Sequence, residues 1–315
     1  MWWKILLLVI AILLLLFFVA FPNFMFYYMF SRPKRSDKIP KFYLNSPHYK
    51  VSRKGMKYME TLDHQDVFMT NRDGLKLHAH YYKAEKETNK FILGIHGYKS
   101  YARPEFGPYI EFYHNLGYNV LLPDDRAHGL SEGKYIGFGV LDRFDCIDWA
   151  KYIVDTYGEN VEIRLHGVSM GAATVISATG ERELPKQVKS TIADCGYSSA
   201  WKVLSYQVKH MAHLPVFLLS LCEKLCIKRA NFDFHNNTPV ELVKNAKIPM
   251  LFVQGGKDFM VPSKMVYDLY DSCGSQYKKL LFVEEAGHAE SIAFEPQKYH
   301  QEIMELFSAQ TTQNN

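Results

Sequence analysis

Apolar positions fall into three patterns along this 315-residue chain, and each predicts a different kind of element. The first is a continuous run. Ile5–Phe21 reads ILLLVIAILLLLFFVAF, and no charged residue occurs from Ile5 to Ser31. A helix rises 1.5 Å per residue, so about 20 apolar residues cross the hydrocarbon core of a bilayer. Trp2 and Trp3 on one flank and Tyr27 and Tyr28 on the other suit the two membrane interfaces. Pro22 either ends this helix near Phe21 or bends it on the way to Phe30. The second pattern alternates: DVFMT (66–70), a turn at Asn71-Arg72-Asp73-Gly74, and LKLHAHYY (75–82) predict an antiparallel hairpin. The third is a series of short, nearly unbroken apolar runs: FILGIH (91–96), NVLLPD (119–124), VEIRLHG (161–167), STIADC (190–195), PMLFVQG (249–255) and KLLFVEE (279–285). Helix-length stretches at 104–117, 144–158 and 263–274 separate some of them, and 49–62 suggests a further short helix. Strands covered by helices on both faces have this look, so one α/β domain with a mostly parallel sheet is predicted.

The spacing breaks once, between STIADC and PMLFVQG. Residues 201–227 there are strongly apolar, with Pro215 dividing two helices, and Thr238-Pro239 starts another with Thr at the N-cap. An insertion at this place in the strand order suits a cap over the carboxyl ends of the strands; an ordinary packed helix pair or a membrane-contacting surface are the other readings. The predicted organisation is therefore an anchor at 1–31, a polar linker with three prolines at 32–48, the α/β domain at 49–308 with a cap insertion at about 197–237, and a polar tail at 309–315.

A secretory signal is the rival to the anchor. Its apolar core runs only about 7–15 residues and ends in small residues, whereas here the run is longer and Phe17, Phe18 and Phe21 crowd Ala20. Lys4 precedes the run, while Arg32, Lys34, Arg35 and Lys38 follow it against Asp37 alone, which places the bulk of the chain in the cytoplasm. A net charge of +4, with no dense basic tract, gives no argument for nucleic acid. Five cysteines, none in a C-x-x-C pair, do not make a disulfide framework.

The chemistry concentrates at strand ends. Gly167-Val168-Ser169-Met170-Gly171 follows VEIRLH and precedes the helical run AATVISATG. A bare G-x-S-x-G is weak, with roughly 0.1 chance occurrences in a chain this long. Between a strand and a helix it is the pattern of a nucleophile elbow, a strained turn that lifts a serine out of the sheet. Serine needs a base, and the base needs an orienting acid; in this architecture they follow in the order Ser, Asp or Glu, His. Asp258, in Gly255-Gly256-Lys257-Asp258-Phe259-Met260-Val261-Pro262, and His288, in Ala286-Gly287-His288-Ala289, each follow a predicted strand in that order. Asp194, at the end of the run STIADC, is a rival acid.

With these motifs, and with His96-Gly97 and Asp125-Arg126-Ala127-His128-Gly129-x-Ser131, residues 66–308 resemble the α/β-hydrolase fold family. The chain looks most like its membrane-anchored bacterial serine hydrolases, in the esterase and prolyl-oligopeptidase-like branch. The resemblance implies Ser169 as nucleophile, His288 as general base and acid, Asp258 as orienting acid, and the N–H groups of Tyr98 and Met170 as oxyanion donors. A small-molecule carboxylic ester is the expected substrate; from composition alone, the apolar insertion favours an acyl group of some length, and the anchor would hold the site near lipid-derived substrates. Ala127 departs from the glycine usual there and touches a structural loop. A peptidase with the same triad is the alternative, and would need a fixed carboxylate for a substrate amino group; Glu105, Glu223 and Glu241 are candidates. A non-catalytic tethered scaffold is the remaining one. His96 is expected to shape the oxyanion loop, His128 to belong to a turn, Asp124, Asp125 and Arg126 to form a structural charge cluster, and Cys222 and Cys226 to pack. His78 and His80 alternate on the hairpin and would mimic a metal pair only with a third ligand. No nucleotide loop is present and no cofactor or metal is implied.

Overall fold

The structure, a computed structural model, describes residues 2–33 and 46–309; most of the expected linker and tail lie outside them. Eight strands form one sheet in the order β1-β2-β4-β3-β5-β6-β7-β8. They are β1 (His64–Thr70), β2 (Lys76–Tyr82), β3 (Lys90–Ile95), β4 (Asn119–Pro123), β5 (Glu162–Val168), β6 (Val188–Asp194), β7 (Met250–Gly255) and β8 (Lys278–Val283). β1 pairs antiparallel with β2, and β2 with β4; every later pairing is parallel. The alternating segment thus became the edge hairpin, and the continuous apolar runs became the strands of the parallel part, of which β8, at the far edge, buries only Leu281 and Val283.

Helices close both faces. One core cluster joins the sheet to α4 (Asp142–Tyr157), α5 (Met170–Thr179) and α9 (Lys264–Ser272) through residues such as Trp149, Val175 and Leu269. The other is built on α2 (Pro47–Met59), α3 (Ala102–Asn115) and α11 (Pro296–Ser308), with Phe106, Tyr109, Tyr113, Tyr299 and Ile303. The sequence reading did not single out α11. Its buried Tyr299, Ile303 and Leu306 fall at i, i+4 and i+7, the helical stripe that would have revealed it.

A third cluster gathers the inserted helices α6 (Ala200–His210) and α7 (Phe217–Ala230) with the last turns of α1 (Trp2–Phe30). Pro22 does not stop α1, which runs through to Phe30. Beyond the proline, Met25, Phe26 and Phe30 are buried against Phe138, Leu218, Leu219, Cys222 and Phe234, so packing carries the helix past the missing N–H. Ser31 then bridges to Tyr135, and the Arg32 guanidinium donates to the Ser131 and Gly129 carbonyls at 2.5 and 2.6 Å. This helix is long and apolar enough to cross a membrane.

Candidate active site

Sheet register decides which side chains meet. Gly167 pairs with Ala193 and Val168 with Asp194; Asp194 pairs with Val253, and Gly255 with Val283. The carboxyl ends of β5, β6, β7 and β8 therefore lie in a row, and the loops after them share one rim.

Ser169 sits at the sharp turn from β5 into α5, with φ 56° and ψ −113°, a conformation L-residues avoid. The flanking glycines are required by contact rather than by their own dihedrals. A Cβ on Gly167 would lie 2.1 Å from the Gly171 carbonyl oxygen, and one on Gly171 2.0 Å from that of Ile95. The turn is held by the Ser169 N–H donating to the Asp194 carbonyl at 2.8 Å.

His288, in the loop after β8, places Nε2 2.8 Å from Ser169 Oγ and Nδ1 2.7 Å from Asp258 Oδ2. Asp258 is itself fixed from several sides. The N–H groups of Met260 and Val261 donate to its Oδ1 at 2.9 Å, and the Gln254 carboxamide donates to Oδ2 at 3.1 Å. Gln254 was missed by the sequence reading, because its role depends on β7 ending beside the loop it orients. Burial alone would push the His288 pKa down. The negative charge of Asp258 and the hydrogen bond to it, with further charge from Glu105 and Asp194, overcome this and raise it above 6.5.

Tyr98 and Met170 flank the same place, and among the described residues no hydrogen bond is made by either backbone N–H. Tyr98 lies in the loop after β3, and its hydroxyl donates to the Met29 carbonyl of α1 at 2.6 Å. His96 and His128 brace this loop. His96 Nε2 accepts from the Asp125 N–H at 3.0 Å, and His128 Nε2 from the Lys99 N–H at 3.1 Å. Burial lowers both pKa values, that of His128 to about 3, so each is neutral and fit to accept.

The rival acid is elsewhere occupied. Asp194 is buried, and its Oδ2 accepts from the Tyr299 and Tyr109 hydroxyls at 2.9 and 3.2 Å. Arg126 pairs with Asp145 and Asp73, and Asp124 with His78, which makes the expected structural charge cluster. Ala127 adopts φ 62°, the left-handed region where the family's glycine would be free of strain. Of the three candidate glutamates, Glu241 closes a capping box with Thr238, and Glu223 accepts from the Phe234 N–H. Glu105 is different. Buried in the first turn of α3, its Oε2 lies 3.5 Å from the point a Gly97 Cβ would occupy, and Ser169 Cβ lies 3.3 Å from that point. Sequence spacing could not have placed it there.

A family model described as "Serine hydrolase (FSH1)" matches residues 151–289, the stretch that holds Ser169, Asp258 and His288. The esterase Pf2001 of Pyrococcus furiosus superposes with a TM-score of 0.66 at 26% identity, over 80% of this chain and 95% of that one. The chain is a serine hydrolase of the α/β-hydrolase fold. The hydrolase is also 25% identical to the uncharacterized protein YqkD of Bacillus subtilis over 228 residues, 72% of this chain and 73% of that protein. It is likewise 25% identical to the uncharacterized membrane protein YNL320W of Saccharomyces cerevisiae over 239 residues, 73% of this chain and 75% of that one.

Proposed function

We propose that this hydrolase is a membrane-anchored carboxylic-ester hydrolase that works through an acyl-enzyme on Ser169. The observation that carries the reading is the hydrogen-bonded chain Ser169–His288–Asp258, at 2.8 and 2.7 Å, on loops from three strands. Ser169 Oγ attacks the ester carbonyl while His288 Nε2 takes its proton. The tetrahedral oxyanion lies between the N–H groups of Tyr98 and Met170. On collapse the C–O bond breaks, and the imidazolium returns the proton to the leaving alcohol. Water then attacks the acyl-enzyme, with His288 again as base, and the carboxylic acid leaves as Ser169 is restored. Asp258 holds His288 with Nε2 facing the serine and stabilises the imidazolium.

The cap and the anchor support an acyl group of some length. α1 buries Met25, Phe26 and Phe30 in the cluster that includes Met170 and the cap helices. Higher on α1, the Phe18 ring lies 6.4 Å from that of the exposed Phe217 at the start of α7. A bilayer around α1 would therefore meet the cap directly, and lipid-derived esters would reach the site by the shortest path. The basic residues after α1 favour a cytoplasmic catalytic domain; protease accessibility of a carboxyl-terminal tag in intact cells checks this.

The test uses the full chain in detergent, since α1 belongs to the core. A fluorophosphonate probe should label the wild type and not Ser169→Ala. Turnover of p-nitrophenyl esters should rise with acyl length, and a flat or short-chain-only profile would remove the acyl-binding role from the cap. A second reading, a peptidase or aminoacyl hydrolase, is favoured by the position of Glu105, which could receive a substrate ammonium. Faster turnover of aminoacyl substrates than of neutral esters, lost in Glu105→Gln, would decide for it.

A further inference from the structure

We propose that His64, Asp66 and His80 form a binding site for a divalent transition-metal ion, Zn2+, on the hairpin edge of the sheet. The placement follows from strand register. Asp66 of β1 faces His80 of β2, and His64 faces Tyr82, so residues alternating in sequence share one face of the pair. His78 and His80 alone are a weak pair; the fold adds the missing ligands from β1.

The three donor atoms make a nearly regular triangle. His64 Nε2 lies 3.0 Å from His80 Nδ1, and each lies 3.3 Å from Asp66 Oδ1. Around an ion about 2.0–2.1 Å from each ligand, tetrahedral angles set ligand–ligand edges of about 3.3 Å. A proton between the two rings satisfies one edge of this triangle, whereas a cation at its centre satisfies all three. Imidazole nitrogens with one carboxylate oxygen suit zinc. His64 and Asp66 are partly exposed, at 32% and 50% of their side chains, so an ion can enter and water can fill a fourth position.

A supporting layer is also present. His78 Nε2 lies 3.0 Å from Asp66 Oδ1 and its Nδ1 2.8 Å from Asp124 Oδ2, a carboxylate–imidazole–carboxylate chain behind the ligand. The ion would fasten β1, an edge strand whose side chains are mostly exposed, to β2. Through His78 and Asp124 it would also steady the turn at Leu130, whose N–H donates to Asp124.

The test is calorimetric titration of tag-free, chelator-stripped full chain in detergent with Zn2+, in parallel with Co2+ absorption spectroscopy. One saturable site and four-coordinate Co2+ bands are expected in the wild type. His64→Ala and Asp66→Asn, both at partly exposed positions where folding is not at risk, should each weaken Zn2+ binding at least about tenfold and remove the bands. Absence of saturable binding in the wild type would overturn the site. Equal affinity in the two variants would overturn it as well, by placing the ion elsewhere.

Discussion

The carboxyl ends of β6 and β7 lie side by side, and each delivers an aspartate toward the same rim, yet the two surroundings are opposites. Asp258 is met by two backbone N–H groups, the Gln254 carboxamide and His288. Asp194 is met by two tyrosine hydroxyls inside an aromatic layer, with its Oδ1 unpartnered among the described residues. Burial, against those hydroxyl donors, raises the Asp194 pKa to about 6. The strand end supplies the residue type and the position; the neighbouring helices decide whether the carboxylate is free to orient a histidine or is absorbed into the core. Asp194 serves the rim through its main chain, whose carbonyl holds the Ser169 N–H.

The largest expected effect separates the two directly. Asp258→Asn should lower kcat for an ester substrate by about 10^4-fold, because the imidazole loses the partner that sets its tautomer and stabilises its charge. Asp194→Asn should leave kcat within about tenfold of wild type, since the mutation does not touch the backbone carbonyl. Equal losses in steady-state kinetics would break the distinction.

Stability should move the other way. With a folded pKa of about 6 against an ordinary 3.8, the Asp194 carboxyl favours folding fully below pH 3.8, and that contribution is lost as pH rises through 6. Asp194→Asn stays neutral throughout. Its advantage over wild type should grow with pH and reach on the order of 3 kcal/mol at pH 8. Denaturant unfolding at pH 5 and pH 8 measures it, and a pH-independent difference would show that Asp194 titrates normally.

A smaller change tests the hydroxyls. Tyr299→Phe removes the shorter of the two donors to Asp194, and with it a contact to His166 Nε2 at 3.2 Å. The cost should be about 1–3 kcal/mol of stability with kcat unchanged. Loss of activity at unchanged stability would instead tie the aromatic layer to the chemistry.

Much of the difference between the two strand ends is legible in the amino-acid sequence, and the remainder has a physical reason for staying hidden. Strands buried on both faces leave continuous apolar runs, so β3 to β7 are legible directly, as is the chain order Ser169, Asp258, His288. The choice between the two aspartates also had a local trace, the Asp258-x-x-Val261-Pro262 loop that folds its own N–H groups onto the carboxylate. Nothing local marks Asp194 as occupied, because Tyr109 and Tyr299 come from α3 and α11, which are 85 and 105 residues away. Glu105 reaches Gly97 only through the packing of α3. From Phe24 to Phe30 every position of α1 is apolar or aromatic, so no periodicity could separate exposed Phe24 from buried Phe26 and Phe30.

The finest difference between the two strand ends should appear in the pH profile. A protonated His288 cannot accept the Ser169 proton, so kcat/KM falls as pH drops through the folded pKa of the imidazole. That value is raised, which puts the acid limb above pH 6.5. After Asp258, whose removal is expected to cost the reaction itself, Glu105 contributes the next largest favourable charge and Asp194 a lesser one. With a neutral ester as reporter, Glu105→Gln should therefore move the limb down toward 6.5, and Asp194→Asn should move it the same way by less. If Asp194→Asn produced the larger displacement, the carboxylate at the end of β6 would be coupled to the histidine more tightly than its tyrosine partners allow, and the division of labour between the two strand ends would have to be redrawn.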